Sequence, residues 1–353
     1  MARATQSRQI DRFVVQGASL TTASLGTVVR EQNFPTGDMG LGTLQLRYDG
    51  VIGLSGGSGP TKVTNGHIIL MRAVTFETDK HSKIVDAVDG LLLYRMLTYE
   101  YMTAPDQSGV ASTPADANTF YVSLPIPMVL PHGLRPYDTL LDVLKSRPKL
   151  TTQYGPYTDV FTYTGGTPGL KSVTQSVEAK ILPGPLNPGA NADGSPNPSL
   201  SELPGYQRSW EQHVEPINST ANRYQIAIPF GDRIWRRLYI TQRNGSDRSE
   251  LSTVVVGTAE VSLYVNTIPI VDRRIFQDII SLNKVEYQIE TLPTGVAVLD
   301  FDNDMQERIN DMLWTLTRDS GNMYLYIDVT SVSNGQLWLG YDSLKPIPQA
   351  ALR

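Results

Sequence analysis

This sequence predicts an all-β chain of two eight-stranded sandwiches, on three observations. Segments that alternate apolar and polar residues recur along most of its length. Between them fall 29 Gly and 23 Pro, while only 18% of residues are charged. That mixture suits short strands joined by turns and argues against a helical bundle. Finally, 353 residues correspond to about two domains at roughly 150 residues each.

The elements follow in order. Residues 1–40 are polar, and Arg3, Arg8 and Arg12 have only Asp11 as an acid among them. They read as a mildly basic arm, either frayed or docked on a neighbouring subunit or a lipid surface. A first domain spans 41–182. Residues 42–54 alternate through Leu44, Leu46 and Tyr48 and change phase at Asp49-Gly50, a turn or bulge signal. Residues 67–76 are apolar enough for a strand buried on both faces. Ile84, Val88, Leu91, Leu92 and Tyr99 space one helical stripe over 84–101, weakened by Gly90. Strands at 120–124, 149–154 and 170–182 close the domain.

Six prolines and four glycines crowd 183–205, a stretch that cannot supply a regular ladder of N–H donors. It reads as a linker or long surface loop between domains. The second domain spans 206–345, with a tail at 346–353. Its strands are expected at 223–229, 234–242, 251–258, 260–268, 295–301, 322–330 and 335–341, with a helix at 272–283. Asn334-Gly335 is the strongest hairpin signal in the chain and should join the last two strands. Each half runs strands, one amphipathic helix and further strands, which is faint evidence of duplication.

Several chemistries are excluded. With no cysteine there is no thiol nucleophile, thiolate-bound metal or disulfide. A pI near 5.5 argues against nucleic-acid binding, which calls for clustered Lys and Arg. No apolar run approaches about 18 residues, and the N-terminus lacks a signal-peptide core, so a soluble chain is expected.

Gly53-Leu54-Ser55-Gly56-Gly57 fits G-x-S-x-G, but that motif exposes its serine only where a strand turns into a helix, and Pro60 follows. It reads as a Gly-rich loop. Asp300, Asp302 and Asp304 are spaced like the start of a calcium loop. Met305 stands where such a loop needs Gly, so Asp302 or Asn303 capping a short helix is the better reading. His67, His81, His132 and His213 are scattered without metal-ligand spacing. Trp210, Trp235, Trp314 and Trp338 read as core or interface aromatics rather than a sugar-stacking platform. No catalytic, cofactor or metal residue is assigned, and no enzyme is expected.

The second half carries a family resemblance. The run from Pro293 to Phe301 leads into Met305-Gln306-Glu307-Arg308 and Leu313-Trp314-Thr315. It continues through Gly321 to Val329 and ends on Gln336-Leu337-Trp338-Leu339-Gly340-Tyr341. This order resembles the C-terminal end of the double jelly-roll major capsid proteins of tailless, membrane-containing icosahedral phages, the tectivirus- and corticovirus-like coat proteins. The opening run Gly42 to Tyr48, and Pro136 to Leu141 ahead of Lys149, are similar in plan. The resemblance covers residues 40–345 in order of elements and about 50 residues closely.

It implies two jelly rolls side by side in each chain and homotrimeric, pseudo-hexagonal capsomers tiling an icosahedral shell. Its partners would be neighbouring capsomers, penton and minor capsid proteins, and an internal membrane met by the N-terminal arm. The protein would reside in the virion after assembly in the host cytoplasm. Trp235 and Trp338 would be trimer-interface anchors. Two other readings stand beside it: a viral spike or receptor- or carbohydrate-binding β-protein, and an enzyme on a jelly-roll scaffold.

Overall fold

Strand pairing builds this chain, and helices fill its connections. The computed structural model describes residues 6–16, 28–33, 40–55, 61–78, 83–110, 118–128, 141–142, 148–162, 167–182, 206–217, 219–229, 233–245, 248, 250, 258–289, 293, 295–301, 313–315, 322–329 and 335–346. They fall into two compact units.

Unit 1 comprises Met1–Leu97, Pro105–Ser209 and Lys345–Arg353. It holds β1 (Gln6–Gln16), β2 (Val28–Asn33), β3 (Gly40–Ser55), β4 (Thr61–Lys62), α1 (Gly66–Ile69), β5 (Met71–Thr78), β6 (Val85–Val88) and α2 (Gly90–Glu100). There follow β7 (Gln107–Ser108), β8 (Asn118–Pro127), β9 (Leu141–Asp142), β10 (Pro148–Tyr154), β11 (Phe161–Thr162) and β12 (Thr167–Leu182). Unit 2 comprises Thr98–Ala104, which includes the last turn of α2, and Trp210–Leu344. It holds most of β13 (Tyr206–Ile217), then β14 (Ala221–Ile228), β15 (Arg233–Asn244), β16 (Glu260–Val265), β17 (Ile268–Ile275) and α3 (Phe276–Glu286). It closes with β18 (Val296–Asp300), β19 (Leu313–Thr315), β20 (Met323–Val329) and β21 (Gly335–Pro346).

The two units share one strand order. In unit 1 the sheets run β1-β12-β3-β8 and β2-β10-β5-β6; in unit 2 they run β13-β21-β15-β18 and β14-β20-β16-β17. Counting the eight main strands of either unit along the chain, the sheets read 1-8-3-6 and 2-7-4-5. Both units are therefore eight-stranded jelly rolls of the same winding. Each places an 11-residue helix, α2 or α3, between its fifth and sixth main strands. The duplication that is faint in the residues is complete in the topology.

This order corrects several expectations. Within the stretch expected to be an irregular arm, Gln6–Gln16 and Val28–Asn33 are strands: β1 pairs antiparallel with β12 and β2 with β10, supplying two of the eight strands of unit 1. Both are edge strands. An edge needs fewer apolar residues than a central strand, which is why polar stretches such as Val28-Val29-Arg30-Glu31-Gln32-Asn33 disguise them. Asn334-Gly335 does not close a hairpin either. β20 pairs with β14 and β16, whereas β21 pairs with β15 in the other sheet, so the connection crosses the sandwich. The stretch 183–205 and most of the strand expected at 251–258 lie outside the described residues.

Two element starts also differ. Residues 67–70 form a helical turn entered through Asn65 at φ 57°, and β5 begins at Met71. The helix expected from Ile84 begins at Gly90 instead. Before it, Val85 and Val88 pair with Phe76 and Val74, and their apolar spacing belongs to a strand with Ala87 at φ 50°. Asp89 sets the start, its Oδ1 accepting the N–H groups of Leu91 (3.0 Å) and Leu92 (3.2 Å). Gly90 is required there, since a Cβ would stand 2.7 Å from the Met71 carbonyl oxygen. Similarly, residues 272–275 finish β17 before α3 begins. Within α3, Asn283 donates to the Val298 carbonyl and accepts the Val298 N–H, both at 2.9 Å, tying the helix to β18.

Asp49-Gly50 is no turn; β3 runs through it, and the irregularity lies in the partner β12 between Leu170 and Ser172. Gly50 faces Phe120 across the β3–β8 pair, and a Cβ would fall 2.0 Å from the ring, which is itself buried. Gly50→Ala is therefore expected to cost about 1–3 kcal/mol through overpacking. Thermal denaturation of the single variant and of Gly50→Ala/Phe120→Ala checks this: the ring deletion should make the added methyl harmless. Equal penalties for the alanine in both backgrounds would refute it.

Candidate assembly surface

Several large side chains that read as core or interface residues are committed to the interior. Trp235 is fully buried, packed edge-on against Tyr341 (centroids 5.4 Å apart) with the Arg233 guanidinium 5.4 Å from its ring centre. Trp338 is buried too, with the guanidinium of Arg243 4.5 Å from its ring centre and that of Arg248 5.6 Å away. The expectation that these two tryptophans anchor a contact between subunits is wrong. β15 and β21 are neighbours in the middle of a sheet, and nearly every residue of β15 is buried on both faces. Trp210 is buried as well.

The same strand buries charge. Consecutive residues of a regular strand point to opposite faces, yet Arg236 and Arg237 both reach Glu100, at 2.6 and 2.7 Å from its Oε2. The register explains this: Trp235 pairs with Ser343 and Arg237 with Asp342, leaving Arg236 as the extra residue of a β-bulge. Arg236 also donates to Asp342 (2.9 Å) and Arg237 to Asp300 (2.8 Å), while Tyr287 donates a very short hydrogen bond to Asp300. Burial works against the Arg237 charge, but Tyr287, Asp300, Tyr239 and Glu100 outweigh it and hold the guanidinium above its ordinary value. This cluster is an internal clamp within unit 2, and a sequence pattern gives no sign of it.

What remains outside is the sheet β14-β20-β16-β17. In β20, Met323, Leu325, Ile327 and Val329 are buried, and Tyr324 and Tyr326 are half-buried on the opposite face. Tyr326 lies 5.6 Å from Tyr264 and 6.4 Å from Tyr324, and the Arg223 guanidinium sits 5.2 Å from the centre of its ring. Tyr264 donates to Asp272 at 3.1 Å. Asp328 accepts the N–H of Arg223 on one side (2.8 Å) and of Glu260 on the other (3.1 Å), binding β14 and β16 to β20. With Tyr264 and Tyr326 at 89°, Tyr324 and Tyr326 at 47°, and one face taken by arginine, these tyrosines do not form the flat, open platform that sugar stacking requires. Beyond them lies β17, the edge of the sheet, exposed almost throughout. Ile268, Ile270 and Ile275 of this strand, and Leu282 and Val285 of α3, are the large apolar residues exposed among the described ones.

No family model matches the sequence, and no curated protein matches it. Solved structures do. The major capsid protein of STIV superposes with a TM-score of 0.68 at 12% identity, covering 99% of this chain and 98% of that one. The major capsid protein of bacteriophage PM2 gives 0.57 at 13%, covering 98% and 99%. The PBCV-1 virus capsid gives 0.54 at 12%, covering 97% and 94%. This chain has the double jelly-roll fold of viral major capsid proteins.

Within that double jelly roll, the residues singled out for chemistry have structural roles. Ser55 of the G-x-S-x-G motif ends β3, paired with Thr167, and the next described element is the strand β4 rather than a helix. Asp300 is engaged by Arg237 and Tyr287; residues 302–312 lie outside the described residues. His67 is buried against Phe120 and shares a 2.6 Å hydrogen bond with Gln107; burial pushes its pKa down, so the ring is neutral near pH 7. His213 contacts Glu215 at 3.2 Å, and His81 and His132 are not among the described residues. Among the described residues, no group of three His, Asp or Glu side chains could hold a metal, and no helix is long and apolar enough to cross a membrane.

Proposed function

We propose that this chain is the major capsid protein of an icosahedral virus, assembling as homotrimeric capsomers of pseudo-hexagonal outline and carrying out no catalysis. The observation that carries the reading is the repeated winding: two jelly rolls of identical strand order in one polypeptide. Three such chains around a three-fold axis present six equivalent rolls. A trimer can therefore occupy a six-cornered tile of a closed shell using one kind of chain. The coverage of nearly the whole of each matched capsid protein supports it.

The burial pattern supports it as well. The arginines and carboxylates that would catch the eye as an active site are locked together at zero exposure, closed to any substrate. Stability in the absence of disulfides comes from strand pairing, the internal clamp and contacts with other copies. The same reading implies neighbouring capsomers, penton and minor capsid proteins and an underlying lipid layer as partners, the virion as address, and assembly in the host cytoplasm. Purified protein should sediment as a species of about 117 kDa, three times the 38.9 kDa chain, with a hexagonal outline by negative-stain microscopy. A monomer at every concentration tested would defeat the reading.

A further inference from the structure

Unit 2 carries an exposed apolar edge. Ile268 is 63% exposed and Val285 74%, with Ile270, Ile275 and Leu282 near 40%. These residues belong to one continuous segment, β17 running directly into α3. Leu282 and Val285, three apart, share a face of α3, while Phe276, Ile279, Ile280 and Asn283 turn inward. The helix thus carries two apolar stripes, and its fold uses only one.

We propose that this β17–α3 strip is the surface that docks against a second copy of the chain in the capsomer. The proposal rests on the capsid reading and gives it a location. The first argument is area. At roughly 160–190 Å² per fully exposed residue, the five expose about 450 Å² together; a standard interface of about 800 Å² per partner, somewhat over half of it apolar, needs about that much.

Charge is the second argument. Between Ile268 and Glu286, Arg273, Arg274 and Lys284 balance Asp272, Asp278 and Glu286, so the strip is neutral within a chain of net charge −5. Copies can approach it without repulsion. An anionic lipid surface or a nucleic acid would be met by an excess of Lys and Arg, which is absent here.

The contact is made by side chains, not by adding a strand. Pro269 has no N–H to offer, the β16–β17 register is broken on both sides of Leu263, and Arg273 sits at φ 44°. Such an edge resists open-ended β-pairing while leaving its apolar side chains available. That combination suits a closed ring of copies rather than a fibre.

The test uses the full chain. Ile268→Glu and Val285→Glu change exposed positions, so each should keep the wild-type circular dichroism and, at concentrations where the wild type is monomeric, its melting temperature. Each should raise the concentration for half-maximal trimer in analytical ultracentrifugation by roughly 100-fold. Hydrogen exchange on the wild type provides a readout independent of any variant: amides of 268–270 and 282–285 should gain protection as protein is concentrated from monomer to trimer. If the wild type trimerises while both variants match it and these amides gain nothing, the strip is wrong and the capsid reading stands. A wild type that never associates removes both. Protection that arises only with phosphatidylglycerol–phosphatidylcholine vesicles, not on concentration, overturns the proposal in favour of a lipid contact.

Discussion

Replacing Arg236 by methionine is expected to lower the melting temperature by about 10 °C, the largest single-site loss anticipated here. The side chain is fully buried and donates to two carboxylates that are equally buried, Glu100 at 2.6 Å and Asp342 at 2.9 Å. Methionine fills much of the same volume, so packing changes little. What changes is that two anions lose a shared counter-charge in a region water does not reach. Breaking a buried ion pair from one side costs about 3–5 kcal/mol, and about 2–4 °C per kcal/mol is typical at this domain size. Arg47→Met is the matched control. Arg47 holds Asp49 at 2.7 Å, between the two Arg236 distances, but the two side chains are 46% and 39% exposed. Water already solvates them, and the loss should stay within about 1 kcal/mol. Calorimetry on the two variants compares burial at constant geometry; similar losses in both would show that the cluster is not the clamp described.

How much of this could be read from the residues differs by feature, for physical reasons. Central strands announce themselves: the alternation of Met323, Leu325, Ile327 and Val329 marks one buried face of β20, as expected. Edge strands do not, because polar residues suffice there, and so β1 and β2 read as an arm. Pairing partners are harder still. Asn334-Gly335 favours a tight turn locally, but a sandwich whose strands alternate between sheets separates β20 from β21, and topology overrides the dipeptide.

The candidate surface was the least legible part. Trp235 and Trp338 looked like anchors because large aromatics favour interfaces, yet a central strand covered on both faces takes them inward. The residues left outside, Ile268 and Val285, look like ordinary core residues in a sequence. Only the edge position of β17 and the orientation of α3 expose them. The bulge that aims Arg236 and Arg237 at one carboxylate is likewise a matter of register with β21, invisible to any pattern of period two.

Alkaline pH should unfold the protein cooperatively between about pH 11 and 12. Five tyrosines, Tyr48 and Tyr154 in unit 1 and Tyr239, Tyr287 and Tyr341 in unit 2, have phenols pushed well above the usual value near 10, in every case chiefly by burial. The neutral phenol is favoured in the folded chain, so the stability each supplies is intact below pH 10, the unfolded value, and drains away as pH climbs toward the raised folded value. Each contributes about 1.4 kcal/mol per pH unit above that point. Three in unit 2 remove about 8 kcal/mol by pH 12, comparable with the whole stability of a typical domain, and the two in unit 1 remove about 5. Phenolate absorbance from these buried tyrosines should therefore appear in a step coincident with loss of circular dichroism. A single smooth titration of all 17 tyrosines with the β signal intact would mean that these phenols are reached by solvent in the folded state.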